Sequence, residues 1–349
     1  MRIVGNIQWC SKIVLYTFFV LLSITLWVWG VLWWGEKFSR HISVSRVPLS
    51  QQDRTYAIPW KILVSPFGVE EEVYALLTQT VFRLYMWQYS ITKHESIQLF
   101  RNIAYRGAEV LVILENEMFG WNTKAWRDFL HKVSSSPIQV QSDEHLGLVY
   151  QHAKTFITDN HVIITTANIW FQWFRRNREY RFVTDYKPIV DNLTDLFQKD
   201  WQWKHIASED IHHALLFCPL NCREKLHDFI ESAEHTIFIQ AQYLQDPVFL
   251  AQLKEKQDLW VSVQIIAWRF QDEDLLTWFE NRYIMDTPYL HTKNILIDHN
   301  VLLIGSMNFS TNAIENNREI SIITTDQESV DVFRRQFYVD WNRLHEEEL

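Results

Sequence analysis

The chain has 349 residues, with 33 Lys and Arg against 42 Asp and Glu, and so carries a net charge of −9 at neutral pH. That balance weighs against nonspecific nucleic-acid binding, which needs clustered basic side chains. Three cysteines, two of them in Cys218-Pro-Leu-Asn-Cys222, are too few for a redox motif or a metal centre.

Residues 1–12 form a short tail. From Ile13 to Trp34 there is no charge, a stretch long enough to cross a bilayer as a helix. It ends in Trp33-Trp34 and Gly35-Glu36-Lys37, without the small-residue site of a cleaved leader. Trp27, Trp29, Trp33 and Trp34 gather at one end like an interfacial belt. The expectation is a transmembrane signal-anchor over 13–35 and a single-pass membrane protein. Arg2 and Lys12 before the span nearly balance Lys37, Arg40 and Arg46 after it. A short tail with the enzyme on the far side is the usual arrangement, so the catalytic domain is expected to be extracytoplasmic. A polar linker, 36–58, follows and stops at Pro59.

Beyond it, helical and strand patterns alternate. Glu72–Leu84 and Glu95–Tyr105 have helical periodicity and Val110–Leu114 reads as a strand. Later, Arg223–Ala233 has helical periodicity, and His235–Gln240 and Val261–Ile266 read as strands. Such alternation predicts α/β layering. The remaining length suits two lobes, 59–205 and 206–349, joined near Asp200–Ile211. Cys218 and Cys222, at the entrance to the second lobe, either bridge a short loop in an oxidising compartment or remain as two thiols.

One pattern occurs twice. His152-Ala-Lys154 with Asp159 and His291-Thr-Lys293 with Asp298 both follow H-x-K-x-x-x-x-D. Asn168 and Asn308 follow, and the intervals Asn168 to Glu179 and Asn308 to Glu319 are equal. Each Glu comes after an Arg in a short polar run. Thr155–Thr158 alternates as a strand, Asp-Asn-His and Asp-His-Asn are turns, and Val162–Ile164 and Val301–Ile304 are returning strands. Alternate side chains of a strand share a face, so each hairpin presents an imidazole and an ammonium side by side. Such a repeat fixes architecture.

The doubled motif resembles that of the phospholipase D superfamily, whose signature is a paired HKD with downstream Gly-Ser, Asn and Glu. The resemblance covers most of the chain after residue 59, including Arg106-Gly107 before its strand and Gln240-Ala-Gln-Tyr before the second motif. It implies an α/β fold of two pseudo-twofold-related lobes, each a mixed sheet flanked by helices, which here would follow the one N-terminal transmembrane helix read from residues 13–35. It also implies that both motifs meet in one cleft. His152 is then the nucleophile that forms a phosphohistidine, and His291 the acid and later the base. Lys154 and Lys293 hold the phosphate oxygens, and Asn168 and Asn308 add hydrogen bonds. Glu179 and Glu319 set the tautomer of a catalytic His. Asp159 and Asp298 complete the motifs, anchoring the hairpins and pairing with a Lys.

The first copy departs from the family pattern. Thr165-Thr166 replaces the Gly305-Ser306 of the second. Thr166 and Ser306 keep a hydroxyl for the phosphate or the His, while Thr165 is expected to narrow its half of the pocket. No metal and no cofactor are implied, since His212-His213 and the remaining His lack the spacing of a zinc site. His161 and His299 fall in the hairpin turns as solvated polar residues.

Substrate class stays open at this point. A membrane phospholipid, bound near the bilayer that residues 13–35 would enter, suits the anchor and the aromatic run Ile169-Trp-Phe-Gln-Trp-Phe-Arg-Arg176. That run also suits stacking of single-stranded nucleic acid, which leaves a membrane-tethered, metal-independent nuclease as an alternative. A cardiolipin synthase-like phosphatidyltransferase is a third reading, and a non-catalytic scaffold a fourth. No obligate protein partner is implied.

Overall fold

The computed structural model describes residues 60–66, 69–117, 124–169, 176–270 and 277–348. The expected tail, membrane span and linker lie outside the described residues, as do 170–175 of the aromatic run. Among the described residues no helix is long and apolar enough to cross a membrane.

In chain order the strands of the first half are β1 (Trp60–Ser65), β2 (Arg83–Gln88), β3 (Glu109–Leu114), β4 (Gln139–Ser142), β5 (Thr155–Ile157), β6 (Val162–Thr165) and β7 (Asn177–Thr184). Those of the second are β8 (Leu215–Phe217), β9 (Thr236–Leu244), β10 (Ser262–Phe270), β11 (Arg282–Ile284), β12 (Tyr289–Leu290), β13 (Lys293–Ile297), β14 (Val301–Gly305) and β15 (Ile320–Thr324). The first sheet runs β1-β7-β6-β5-β2-β3-β4, and the second runs β11-β10-β9-β13-β14-β15-β8. Read from opposite ends, these are one order used twice. In each, three parallel strands join an antiparallel meander, so both sheets are mixed. One strand crosses over: β12, from the second half, pairs with β7 of the first.

Period-two alternation explains the layers. In β5, Ile157 faces one core and Phe156 another; in β13, Leu296 and Ile295 divide the same way. One core is shared between the sheets and includes Trp87, Ile157 and Phe182 together with Phe238, Leu296 and Ile304. Two long helices, Lys187–Trp201 and Gln327–Glu348, contribute Phe197 and Phe333 to it. The outer face of each sheet is covered by its own helices, through Val73, Ile97 and Phe100 in the first and Leu226, Phe249 and Leu253 in the second.

One sequence expectation needs correction. Helical periodicity over Glu72–Leu84 stops short, because the helix spans Val69–Thr78 and β2 starts at Arg83. Leu84 is apolar for both patterns, and only its strand partner decides. The polar run before Glu179 is itself the start of β7, which pairs with β1 and β6 of the first half and with β12 of the second. Cys218 and Cys222 form a disulfide.

Candidate active site

The catalytic candidates converge by an exchange between lobes. His152 Nδ1 lies 2.7 Å from Glu319 Oε1, while His291 Nδ1 lies 3.0 Å from the Glu179 carboxylate. Each imidazole is therefore held by the other half's glutamate. The backbone makes the same exchange: His152 N–H donates to Arg318 O at 2.9 Å, and His291 N–H to Arg178 O at 3.1 Å. A carboxylate can only accept, so Nδ1 of each ring carries its proton and Nε2 keeps the lone pair. The His152 side chain is 15% accessible and that of His291 11%, enough for each ring to meet a ligand.

The glutamates are themselves fixed. Thr166 Oγ1 donates to Glu179 at 2.6 Å and Ser306 Oγ to Glu319 at 2.5 Å. Asn177 and Asn317 add amide donors at 3.0 and 3.4 Å. The two hydroxyls thus orient carboxylates, rather than reaching for phosphate or imidazole. Thr165 is fully buried and accepts the Ala167 N–H at 3.0 Å, so its extra methyl does not narrow the cleft. Its counterpart Gly305 has no room for a side chain, because a Cβ would fall 2.4 Å from Ser321 Cα.

Lys154 and Lys293 each donate to the carbonyl of the His two residues earlier. Lys293 also reaches Gln242 Oε1 at 3.0 Å, whereas Lys154 lies over the Tyr89 ring, 5.4 Å from its centre. Tyr89 in turn meets His152 edge-on at 4.8 Å, and Tyr289 stacks on His291 at 6.0 Å. Asn168 and Asn308 carry the same mark, a buried Oδ1 without a hydrogen bond among the described residues.

Asp159 and Asp298 do not join this cluster or pair with a Lys. Asp159 accepts the backbone N–H groups of Val81, Phe82 and Arg83, and Asp298 those of Glu234, His235 and Thr236. They tie each hairpin turn to the start of the neighbouring strand, at the far end of the hairpin from the His. Asp298 and His299 take positive φ there, and His299 packs against Phe238 rather than standing free in solvent. Among the described residues no cluster of three or more His, Cys, Asp or Glu is arranged to hold a metal ion.

Burial sets the ionisation. It lowers His152 to about 4, with Glu319 opposing and Lys154 assisting. His291 is lowered for the same reasons, with Glu179 opposing. Burial also brings Lys154 down to about 8 and Lys293 to about 7, against the pull of the glutamates. For Glu179 and Glu319 burial acts upward, but the facing His, the Lys and the hydroxyl bonds outweigh it and hold both below the usual carboxylate range.

Two ion pairs that the sequence reading did not foresee hold this frame. Arg178 makes a paired contact to Asp340 at 2.9 and 2.8 Å, and Arg318 to Asp200 at 3.1 and 2.9 Å. Both are buried and bidentate, the strong form of ion pair. A signal existed: Asp200 follows Glu179 by the same interval as Asp340 follows Glu319.

The chain belongs to the phospholipase D superfamily: the family model for "Cardiolipin synthase, PLD-like domain" matches residues 73–201 and 226–341. The human mitochondrial cardiolipin hydrolase is 41% identical over 64 residues, covering 18% of this chain and 25% of that protein. The mouse protein is 42% identical over 63 residues, covering 18% and 28%. The chain thus spans about a quarter of the curated relatives it matches. Among solved structures, polyphosphate kinase from Porphyromonas gingivalis superposes with TM-score 0.64 at 17% identity, over 81% of this chain and 50% of that one. Phosphatidylserine synthase from Haemophilus influenzae Rd KW20 gives 0.57 at 12% identity, over 82% and 86%. At such identities these two establish a common fold.

Proposed function

We propose that the protein is a membrane-anchored phospholipase D-type phosphodiesterase that cleaves phospholipid headgroups, or passes the phosphatidyl group to an alcohol. The observation that carries this reading is the pair of crossed His–Glu contacts with both Lys ammonium groups beside them.

In the first step His152 Nε2 attacks phosphorus and the bond to the leaving oxygen breaks, its electron pair taking a proton from His291. The neutral state of the buried His152 suits it to attack. His291 needs its proton, and the arriving phosphodiester anion supplies the negative charge that favours it. In the second step water or an alcohol attacks the phosphohistidine, gives its proton to His291, and frees His152. Lys154 and Lys293 stabilise the phosphoryl oxygens throughout, in a site where low polarity strengthens each contact. Asp159 and Asp298 support the hairpins that deliver these groups.

Lipid is favoured as substrate by the family description and by relatives named for cardiolipin hydrolysis. The uncharged stretch within 13–35 would keep the cleft near a bilayer. The Cys218–Cys222 disulfide supports an oxidising, extracytoplasmic compartment for the catalytic part.

The test uses the full chain in EDTA with labelled phospholipid vesicles and a labelled single-stranded oligonucleotide offered together. Headgroup release that is lost in His152→Ala is the expected result. Oligonucleotide cleavage with intact lipid would replace the reading by a tethered nuclease, and neither product would refute both.

A further inference from the structure

Two carboxyls with no part in the steps above stand directly behind His152. Glu115 follows β3 and Asp143 follows β4, so adjacent parallel strands deliver them side by side, both buried. They share one donor: the Gln151 N–H lies 2.7 Å from Glu115 Oε2 and 3.2 Å from Asp143 Oδ2. Their other oxygens accept the Glu117 N–H at 2.7 Å and the Asn116 N–H at 2.9 Å. Burial, followed by the Asp143 carboxyl, raises Glu115 to about 8. Two bare carboxylates touching in a poorly solvating interior repel strongly, and one shared proton removes that repulsion.

Gln151 is the residue before the nucleophile. Its side-chain Oε1 accepts the Ala153 N–H at 2.9 Å, and His152 itself is tied to Arg318 O. The peptide leading into His152 is therefore held between Arg318, whose N–H donates to Tyr150 O at 2.9 Å and whose carbonyl accepts the His152 N–H, and the acid pair, which accepts the Gln151 N–H. The second lobe manages differently. By strand register Glu115, Asp143 and Gln151 correspond to Trp268, Met285 and Leu290. Met285 and Leu290 belong to the shared apolar core. The fold thus accepts an apolar brace at this place, yet behind His152 it carries two buried acids, whose desolvation is costly.

We propose that Glu115 and Asp143 are a positioning pair for the nucleophile, held together by one shared proton and together fixing the Gln151 peptide that leads into His152. The proposal rests on the reading of His152 given above. Losing that proton sets two carboxylates against each other, loosens the Gln151 N–H and lets the His152 segment drift. Other charged groups nearby are Glu117 on the same turn, Glu144, which accepts from Asn116, and His145, bonded to Asp200 O. Past Gln151 lie Arg318, His152, Lys154 and Glu319.

Because Lys154 and Lys293 lose protons in the same range, a rate profile alone does not isolate the pair. Hydrogen–deuterium exchange at the amides of 151–153 does, measured on the full chain. Protection corrected for intrinsic rates should fall about tenfold from about pH 7 to about pH 9 in the wild type, and stay within about threefold in Glu115→Gln. With bis-p-nitrophenyl phosphate, Glu115→Ala should lower kcat about tenfold with KM within about twofold, and Glu115→Gln should recover most of the loss. Exchange profiles that superimpose in wild type and Glu115→Gln overturn the proposal, whether or not the protein turns over substrate. An unchanged kcat in Glu115→Ala overturns the positioning role. A wild type that shows the exchange transition without phosphodiester turnover instead sinks the functional reading and leaves the shared proton standing.

Discussion

The two lobes agree in the groups around the paired imidazoles and differ one layer out. His, Lys, Asn, Glu, the hydroxyl on the Glu and the Arg–Asp brace are present on both sides. Beyond them, Lys154 lies on Tyr89 where Lys293 bonds Gln242. Ser65 occupies the place of the bridged Cys218, each giving its carbonyl to the lobe's Arg at 2.7 Å. An ion pair is even reversed in sign, Glu70–Lys93 in the first lobe and Arg223–Asp246 in the second. What the difference teaches is that the reacting geometry constrains type and distance, while the support needs only to be satisfied and may use charge, sulfur or ring.

The sharpest way to break the comparison is to remove one imidazole at a time. His152→Ala should lose roughly four orders of magnitude on any phosphodiester. His291→Ala should lose as much on a lipid, but far less in the first step on a p-nitrophenyl ester, whose leaving group needs no proton; labelled phosphoenzyme should then accumulate. Equal losses on both substrates would make the assigned roles wrong. Next in size, Glu319→Gln and Glu179→Gln should each cost about 100-fold in kcat, because the wrong tautomer is then available. Burst kinetics separates them: the first slows phosphoenzyme formation, the second slows both steps.

The pH profile sharpens the same point. kcat/KM should rise as pH passes about 4, where His152 loses its proton. It should fall first as His291, the assigned acid, loses its proton below the ordinary imidazole range, with a further alkaline limb as Lys293 and then Lys154 deprotonate near 7 and 8. An alkaline limb unmoved by Lys293→Arg would refute that assignment. Smallest is the double change Cys218→Ser with Cys222→Ser, which should cost about 2 kcal/mol in denaturant unfolding, the value for so short a loop.

Much of this was legible in the chain. Doubling of His152-x-Lys154 and His291-x-Lys293 marked the site, and alternating apolar runs marked β3, β9, β10 and the hairpins. The crossing of Glu179 to His291 was not, because equal spacing within each copy says nothing about which copy a side chain serves. Nor was β7 at Asn177–Thr184 visible, since its first residues are polar and are covered by β1 of their own lobe and β12 of the other, neither of which is near in sequence. The acids behind His152 escaped as well: Glu115 and Asp143 lie 28 residues apart in sequence, and only parallel strand order joins them.

The crossed contacts also fix when the molecule can become active. During synthesis His152, Lys154 and the whole first sheet emerge well before Glu319, the carboxylate that holds the His152 ring. A ribosome-bound chain carrying only the first half has its His152 ring without the Glu319 contact, and that half's own glutamate waits for His291. The arrangement around His152 is thereby delayed until the second lobe has docked. Assembly is thus its own safety catch.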